Sequence, residues 1–587
     1  MPPSHLSAGP MDTRHLVGGG SPAEGGDKPE TGILDLPMEI LSLICESFRV
    51  GRYRPKESLE TSKALRLTNR RLNTAATPML FSTLTIKLDK ESMRRANELV
   101  SCNPIMAASV RTVVISLACR DSSLVDEKVL FTEAWLENID NICGYYDPHW
   151  QESREGRDWL GWRPSLERES PILRQCHEHS KRSSPEAIEC FRIGHRLFDA
   201  WNGRRWSNLD NDLGGAHRGS EHECVVRELA KTDREEGIHA YRQLLLGAHK
   251  DYSKKHQEQL KIIENGSFAQ DIAQYLTKLP HKGLQIIITD DPIHPILSSE
   301  LGSRYKDCFR LINDNEKLLS AMTAPHYWLD ISTFRPGLGL NPRQRLLPAA
   351  RLISEIPVAC FRAGTPITDL KIECFPPTVT IVGGFSAMFP LSSSLPSLEA
   401  WDAELRTASQ HLERFHFGRH YQPHQKTLLS AHEQDRLTLF LSAMLSGDKL
   451  NSIHVDTYPV YGDSDIHPKY RYDAMASALK TVDLEKLRTL HLRGFSIDQE
   501  ALETVCRRLI DGGALEEVHL SCVRLMENGG ERWADVKDIL QESISCSGNG
   551  VESAIDLCLD KLVGGEFFPE EEEKEDIMGD MGSLFLD

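Results

Sequence analysis

No Cys-x-x-Cys pair occurs among the 14 cysteines of this 587-residue chain. Paired thiolates of the zinc or redox kind are therefore not expected, and scattered thiols in a chain without a signal peptide indicate a reducing compartment, cytoplasm and/or nucleus. No apolar run approaches the roughly 18 residues of a membrane span, so no membrane partner is expected. Residues 1–30 lack an apolar signal core; they are rich in Gly, Pro and Ser and are expected to form a disordered leader. A basic excess is missing too. The net charge of −18 argues against general nucleic-acid binding, which needs a cationic footprint.

Catalytic and metal-binding patterns are equally scarce. The glycines at 18–20 and 25–26 have no strand before them and no helix after, so they are not a phosphate-binding loop. Cys176, His177, His179, His222 and Cys224 lack the paired spacing of a zinc site. Gly384-Phe385-Ser386-Ala387-Met388 follows an apolar run, in the manner of a nucleophile elbow, but has no second glycine and no implicated His or Asp. No catalytic residue, metal or cofactor is expected. A hydrolase acting through Ser386 is the weakest functional reading. The sequon Asn265-Gly266-Ser267 carries no meaning in a reducing compartment.

What is present begins at residue 33. The segment 33–48 reads ILDLPMEILSLICESF. Asp35 is the expected helix N-cap, and Pro37 suits the first turn, where its missing N–H costs nothing. Leu36, Ile40, Leu43 and Ile44 share one helical face, and Leu41 and Phe48 another. A helix apolar around most of its circumference is expected to bury two faces, one in its own domain and one against a partner or another part of the chain. A basic loop at 49–57 precedes a second helix with Leu59, Ala64, Leu65 and Leu67. A third carries Leu72, Ala75 and Ala76 and is expected to end at Pro78, and residues 80–86 then alternate like a strand.

Leu36-Pro37-x-Glu39-Ile40-Leu41-x-x-Ile44, followed after a gap by Leu65-x-Leu67-x-Asn69-Arg70-Arg71-Leu72-x-x-Ala75-Ala76, resembles the F-box motif. The resemblance covers residues 33–80, with a longer basic loop between the first two helices than the pattern has. It implies a Skp-type adaptor as partner and, through it, a cullin. It also implies that Leu36, Pro37, Glu39, Ile40, Leu41 and Ile44 form the adaptor face, with Leu65 and Leu67 beside or behind them. Arg70 and Arg71 are open to either an acidic partner surface or solvent.

Beyond residue 80 the pattern L-x-x-L-x-L-x-x-N-x-L recurs imperfectly. Leu487-x-x-Leu490-x-Leu492-x-x-Phe495-x-Ile497 is followed 28 residues later by Leu515-x-x-Val518-x-Leu520-x-x-Val523-x-Leu525, with a helical stretch between them at 498–510. Weaker copies start at Leu450, Leu412, Ile367 and Leu395, and residues 283–288 and 110–115 supply further candidate strands. Leu395 and Leu412 are too close for two repeats, unless one begins a helix; Leu398, Trp401 and Leu405 have that spacing.

The expected fold is α/β: a three-helix F-box at 31–80, then a degenerate leucine-rich-repeat-like solenoid at 81–560 with a helical insertion at about 121–280, and an acidic tail at 561–587. The insertion holds Trp135, Trp150, Trp159, Trp162, Trp201 and Trp206, with helical patterns at 131–142, 185–200 and 224–263. The expected function is that of the substrate-recognition subunit of an SCF-type ubiquitin ligase, with an unidentified protein target. A non-degradative scaffold using the same module is the alternative.

Overall fold

The computed structural model describes residues 33–47, 55–126, 128, 131, 236–280, 283–291, 315–328, 347–374, 376, 388, 398–418, 427–429, 431–457, 460–462, 475–480, 482–512, 514–526, 533, 535–539, 556–560 and 562. The chain divides into two compact units, Met1–Leu80 and Phe81–Asp587.

The first unit is three helices: α1 (Met38–Ser47), α2 (Pro55–Thr68) and α3 (Arg70–Leu80). The start of α1 corrects one expectation. Asp35 lies in a 3-10 turn (Ile33–Asp35), and Pro37 stands at the boundary, its carbonyl accepting from the N–H groups of Ile40 and Leu41 at 3.1 and 3.1 Å. Nor does α3 stop at Pro78, which lies inside it. So close to a helix end the missing N–H removes little of the hydrogen-bond ladder. Asn69 caps α3 by accepting from Arg71 N at 2.8 Å.

The second unit is a mixed α/β body built on a nine-stranded parallel sheet. Its strands are β1 (Thr83–Lys87), β2 (Thr112–Ser116), β3 (Gln285–Thr289), β4 (Asp369–Ile372), β5 (Arg414–Phe417), β7 (Ser452–Asp456), β9 (Thr489–Arg493), β11 (Glu517–Ser521) and β13 (Asp556–Asp560). They lie in chain order, each paired in parallel with the one before and the one after. Short strands β6 (Thr427–Leu429) with β8 (Val460–Gly462), and β10 (Ser496–Ile497) with β12 (Arg524–Leu525), make two smaller parallel pairs. The strand segments expected from residues 110, 283, 367, 412, 450, 487 and 515 onward all contain strands of the main sheet. The expected strand at 80–86 is β1. Of the copy starting at residue 395 only Leu398 onward is described, and there α11 (Leu398–Ser409) begins. β13 has no counterpart in the repeat pattern.

Register turns these strands into two surfaces. Val113, Ile286, Leu370, Phe415, Ile453, Leu490 and Val518 are paired in sequence across the sheet and buried, as are Ile86, Ile115, Ile288, Ile372, Phe417, Val455, Leu492 and Leu520. The residues between these two columns are only half-buried. A two-residue period thus sends one face inward and leaves the other open. Parallel strands need a crossover between each pair, and helices supply it. α8 (Ser267–Leu276), α10 (Leu352–Arg362), α11, α12 (Ala431–Met444), α13 (Met475–Leu479) and α14 (Gln499–Gly512) pack each on the next along the buried face. α4 (Lys90–Cys102), α5 (Pro104–Ser109), α6 (Ser122–Asp126) and α7 (Glu236–Glu264) precede them in the chain, and α9 (Asn315–Met322) lies between α8 and α10. Asp89 caps α4 through Ser92 N at 2.6 Å, and Asn103 caps α5 through Met106 N at 3.1 Å.

The insertion separates β2 from β3, which are nevertheless direct neighbours. Its described part includes α6, α7 and α8; the six tryptophans, the helical pattern at 131–142 beyond Phe131, and the one at 185–200 lie outside the described residues. Polar side chains key α7 into the sheet. Gln259 donates to Leu88 O at 3.0 Å and to Ala118 O at 3.3 Å and accepts from Arg120 N at 3.2 Å.

The stacking leaves no room for side chains at two turns. A Cβ on Gly512 would lie 2.5 Å from Glu485 Cα, and one on Gly447 would lie 2.5 Å from Ser409 O. In each case the obstacle is the backbone of the preceding helix–strand unit, which cannot rotate away. Gly512→Ala is expected to destabilise the body by about 1–3 kcal/mol through overpacking, read as a lower denaturant midpoint at unchanged slope.

Candidate docking faces

The eight residues expected to meet an adaptor do not all lie on one face. Leu41 is 0% exposed and, with Cys45, Leu72, Ala75 and Ala76, forms the core of the first unit. That overturns its expected place on the adaptor face. One residue's rotation along a helix is about 100°, enough to carry Leu41 from the outward side to the inward one. Leu36 and Leu65 are half-buried and pack on this core.

The others point outward. Ile40 is 41% exposed and Leu43 59%, both on the side of α1 opposite Leu41 and Cys45. Ile44, half-buried, borders them, and Pro37 and Glu39 are exposed at the helix start. Leu67 is 89% exposed, with Ile33 at 54% and Leu34 at 37%. Leu43 and Ile33 are absent from the expected contact set, although helical spacing puts Leu43 on the correct face. Arg71 serves the fold of its own unit, because its guanidinium donates to Leu36 O at 2.8 Å and also to Leu34 O. It therefore fixes the segment that leads into α1. Arg70 is exposed.

The open face of the sheet is the second surface. One column of it runs Thr85, Val114, Ile287, Lys371, His416, His454, His491, His519, Cys558, paired in register from β1 to β13. Four histidines thus stand side by side. Their ring centroids are 4.1 Å apart from His416 to His454, where the rings stack, then 5.3 Å to His491 and 5.3 Å to His519. Charged residues flank the column, largely in pairs: Arg414 with Asp369 at 2.8 Å, Lys371 with Glu373 at 2.6 Å, Arg493 with Asp456 at 3.4 Å. His491 Nε2 lies 2.9 Å from Glu517 Oε1, an ion pair once the imidazole is protonated. No local pattern signals the column, because its members are 28 to 38 residues apart and each is a lone histidine between two apolar residues. A common register, which only strand pairing supplies, brings them together.

Burial holds the His454 imidazole down at about 4, and the neighbouring His491, Lys371, His519 and Arg493 add to the effect. Burial likewise lowers His326 to about 4, helped by Arg120. An imidazole depressed in the folded state is protonated first in the unfolded chain. The stability these two confer is therefore complete above the unfolded value of about 6.5 and is lost as pH falls from there toward 4. Acidification from about pH 7.5 to 5.5 is expected to cost the body roughly 2–3 kcal/mol, seen as a lower Tm.

Among the described residues no group of three or more His, Cys, Asp or Glu is arranged to hold a metal ion, and no helix is long and apolar enough to cross a membrane. Ser386 lies outside the described residues. Comparisons with protein-family models, curated proteins and solved structures found no match.

Proposed function

We propose that this chain is the substrate-recognition subunit of an SCF-type cullin-RING ubiquitin ligase. In this reading residues 33–80 are an F-box that binds the Skp-type adaptor, and the body is a degenerate leucine-rich-repeat-like solenoid whose open sheet face receives a target protein. The subunit supplies proximity rather than chemistry, holding target lysines near a charged ubiquitin-conjugating enzyme.

The observation that carries the reading is the exposed apolar pair Ile40 and Leu43 on α1, with Pro37 and Leu67 also exposed, in the stretch where the sequence resembles an F-box. Apolar side chains of this size gain about 1.5–3 kcal/mol each on burial, so a unit whose core uses Leu41 and Cys45 has a second face with that gain unused. For the body, strands in chain order with a helical return between neighbours are how stacked repeats bury a continuous core.

Reconstitution tests the proposal: the full chain mixed with Skp-type adaptor and cullin is expected to co-elute as one complex. Failure of a folded chain to bind the adaptor sinks it. Adaptor binding without cullin recruitment would instead favour the non-degradative scaffold.

A further inference from the structure

From the register of the sheet we infer that the imidazole column, at its acidic end on β9, β11 and β13, is a docking track for an extended, arginine-rich segment of a partner protein. This deepens the proposed reading of the open face as the target surface and rests on it.

The sign of the charge identifies the occupant. Six carboxylates, Asp369, Glu373, Asp456, Glu517, Asp556 and Asp560, stand around the column from β4 to β13, against three cations, Lys371, Arg414 and Arg493. Each cation is already matched within the face: Lys371 by Glu373, Arg414 by Asp369 and Arg493 by Asp456. The excess therefore gathers on the last two strands. Glu517 pairs in register with Asp556, and Ser521 with Asp560, so three carboxylates flank the His519–Cys558 step of the column, and no Lys or Arg shares these positions. Burial keeps the His454 ring uncharged at neutral pH, so it does not offset the excess. The net charge of −18 on the whole chain steers cationic partners toward it at longer range.

The spacing fits an extended segment laid across the strands. Such a segment advances about 3.3 Å per residue, so the side chains on its sheet side recur about every 6.7 Å. The carboxylates lie two residues before or after the column on their own strands, about 6.7 Å to either side of it, within reach of a long basic side chain. The imidazoles select arginine over lysine. His491 and His519 are half-buried rings 5.3 Å apart. A guanidinium is planar and weakly hydrated, stacks on aromatic faces and still turns its donors toward carboxylates, whereas an ammonium is compact and holds its water. A nucleic-acid backbone is disfavoured, because the carboxylate excess repels phosphate.

The experiment uses the full chain and a fluorescent peptide alternating Arg with Ser, with Lys–Ser, citrulline–Ser and Glu–Ser counterparts. Anisotropy is read at about pH 8, where imidazoles carry little charge, and at fixed ionic strength. The Arg–Ser peptide is expected to bind at least about tenfold more tightly than Lys–Ser, and the other two are expected not to bind. Glu517→Gln with Asp556→Asn is expected to weaken Arg–Ser binding at least about tenfold, whereas Glu91→Gln with Glu98→Gln, the same change in net charge on exposed positions of α4, leaves it unchanged. If the first pair alters the thermal transition, Cys558→Lys, at an exposed position in the column, serves in its place and is expected to weaken binding likewise.

Equal affinity for Arg–Ser and Lys–Ser, equal effects of the two carboxylate pairs, or preferential binding of Glu–Ser or of polyuridine would overturn the proposal. So would loss of Arg–Ser binding when residues 561–587 are deleted, which would assign the peptide to the acidic run at 570–576. Binding that emerges only with Arg49→Ser, Arg52→Ser and Arg54→Ser would also overturn it, assigning the column to the chain's own basic loop. Adaptor co-purification is read on the same preparations. Its loss counts against the ligase reading, whereas loss of peptide binding alone counts against the docking track.

Discussion

Ile40→Asp combined with Leu43→Asp is expected to abolish co-purification of the chain with a Skp-type adaptor while leaving its circular dichroism and thermal transition unchanged. Both side chains are on the outward side of α1, at 41% and 59% exposure, so a carboxylate there remains hydrated in the free protein. In a complex the same carboxylates would be buried opposite apolar groups without a partner. Anchor residues of this kind contribute about 2 kcal/mol or more each, and an unpaired buried charge costs further, so the loss should be at least about a hundredfold in Kd. Leu41→Asp is the informative contrast. Leu41 is fully buried among Cys45, Leu72, Ala75 and Ala76, and a charge there should unfold the first unit. Adaptor binding lost by both variants, with the helical signal lost only by Leu41→Asp, would separate a docking residue from a core residue one position away. Retained binding by the folded Ile40/Leu43 double variant would remove the pair as an adaptor face.

Trp328→Ala is expected to be the most damaging single truncation in the body. The side chain is 0% exposed, its Nε1 donates to Leu117 O at 2.9 Å, and its backbone N–H donates to Asp290 Oδ2 at 3.1 Å. The indole thereby joins the segment after α9 to the ends of β2 and β3. Removing it leaves a cavity worth about 3–5 kcal/mol and an unpaired buried carbonyl worth about 1–3 kcal/mol more. Trp328→Phe keeps most of the volume but still orphans Leu117 O, and should cost less than half as much. Denaturant midpoints of the three proteins measure this ordering. Equal costs for the two variants would mean that the hydrogen bond, not the packing, dominates.

Much of the architecture was legible in the sequence, and for a local reason. A strand of a half-open sheet must alternate, and L-x-L or its equivalents at 84–86, 113–115, 286–288, 370–372, 415–417, 453–455, 490–492 and 518–520 do so. The helix at Leu398 could be told from a strand because Leu398, Trp401 and Leu405 repeat at helical spacing. Where the reading failed, the deciding quantity was not local. Leu41 and Ile40 are both apolar neighbours on one helix, and only the position of α3, with Leu72, Ala75 and Ala76, decides which is inside. Arg71 reads as a surface charge in sequence, yet the carbonyls of Leu34 and Leu36 come within its reach across more than 30 residues of chain.

By itself, then, the sequence determined the alternating strands, the helices between them, the two-faced first helix and the chain order of the elements, because period and propensity act over a few residues. Tertiary structure alone decided that β2 and β3 are neighbours despite the long insertion, which face of α1 stays open, and that four solitary histidines share one column. Those outcomes depend on pairing register and on which surfaces meet, and neither is encoded within the span of a single element.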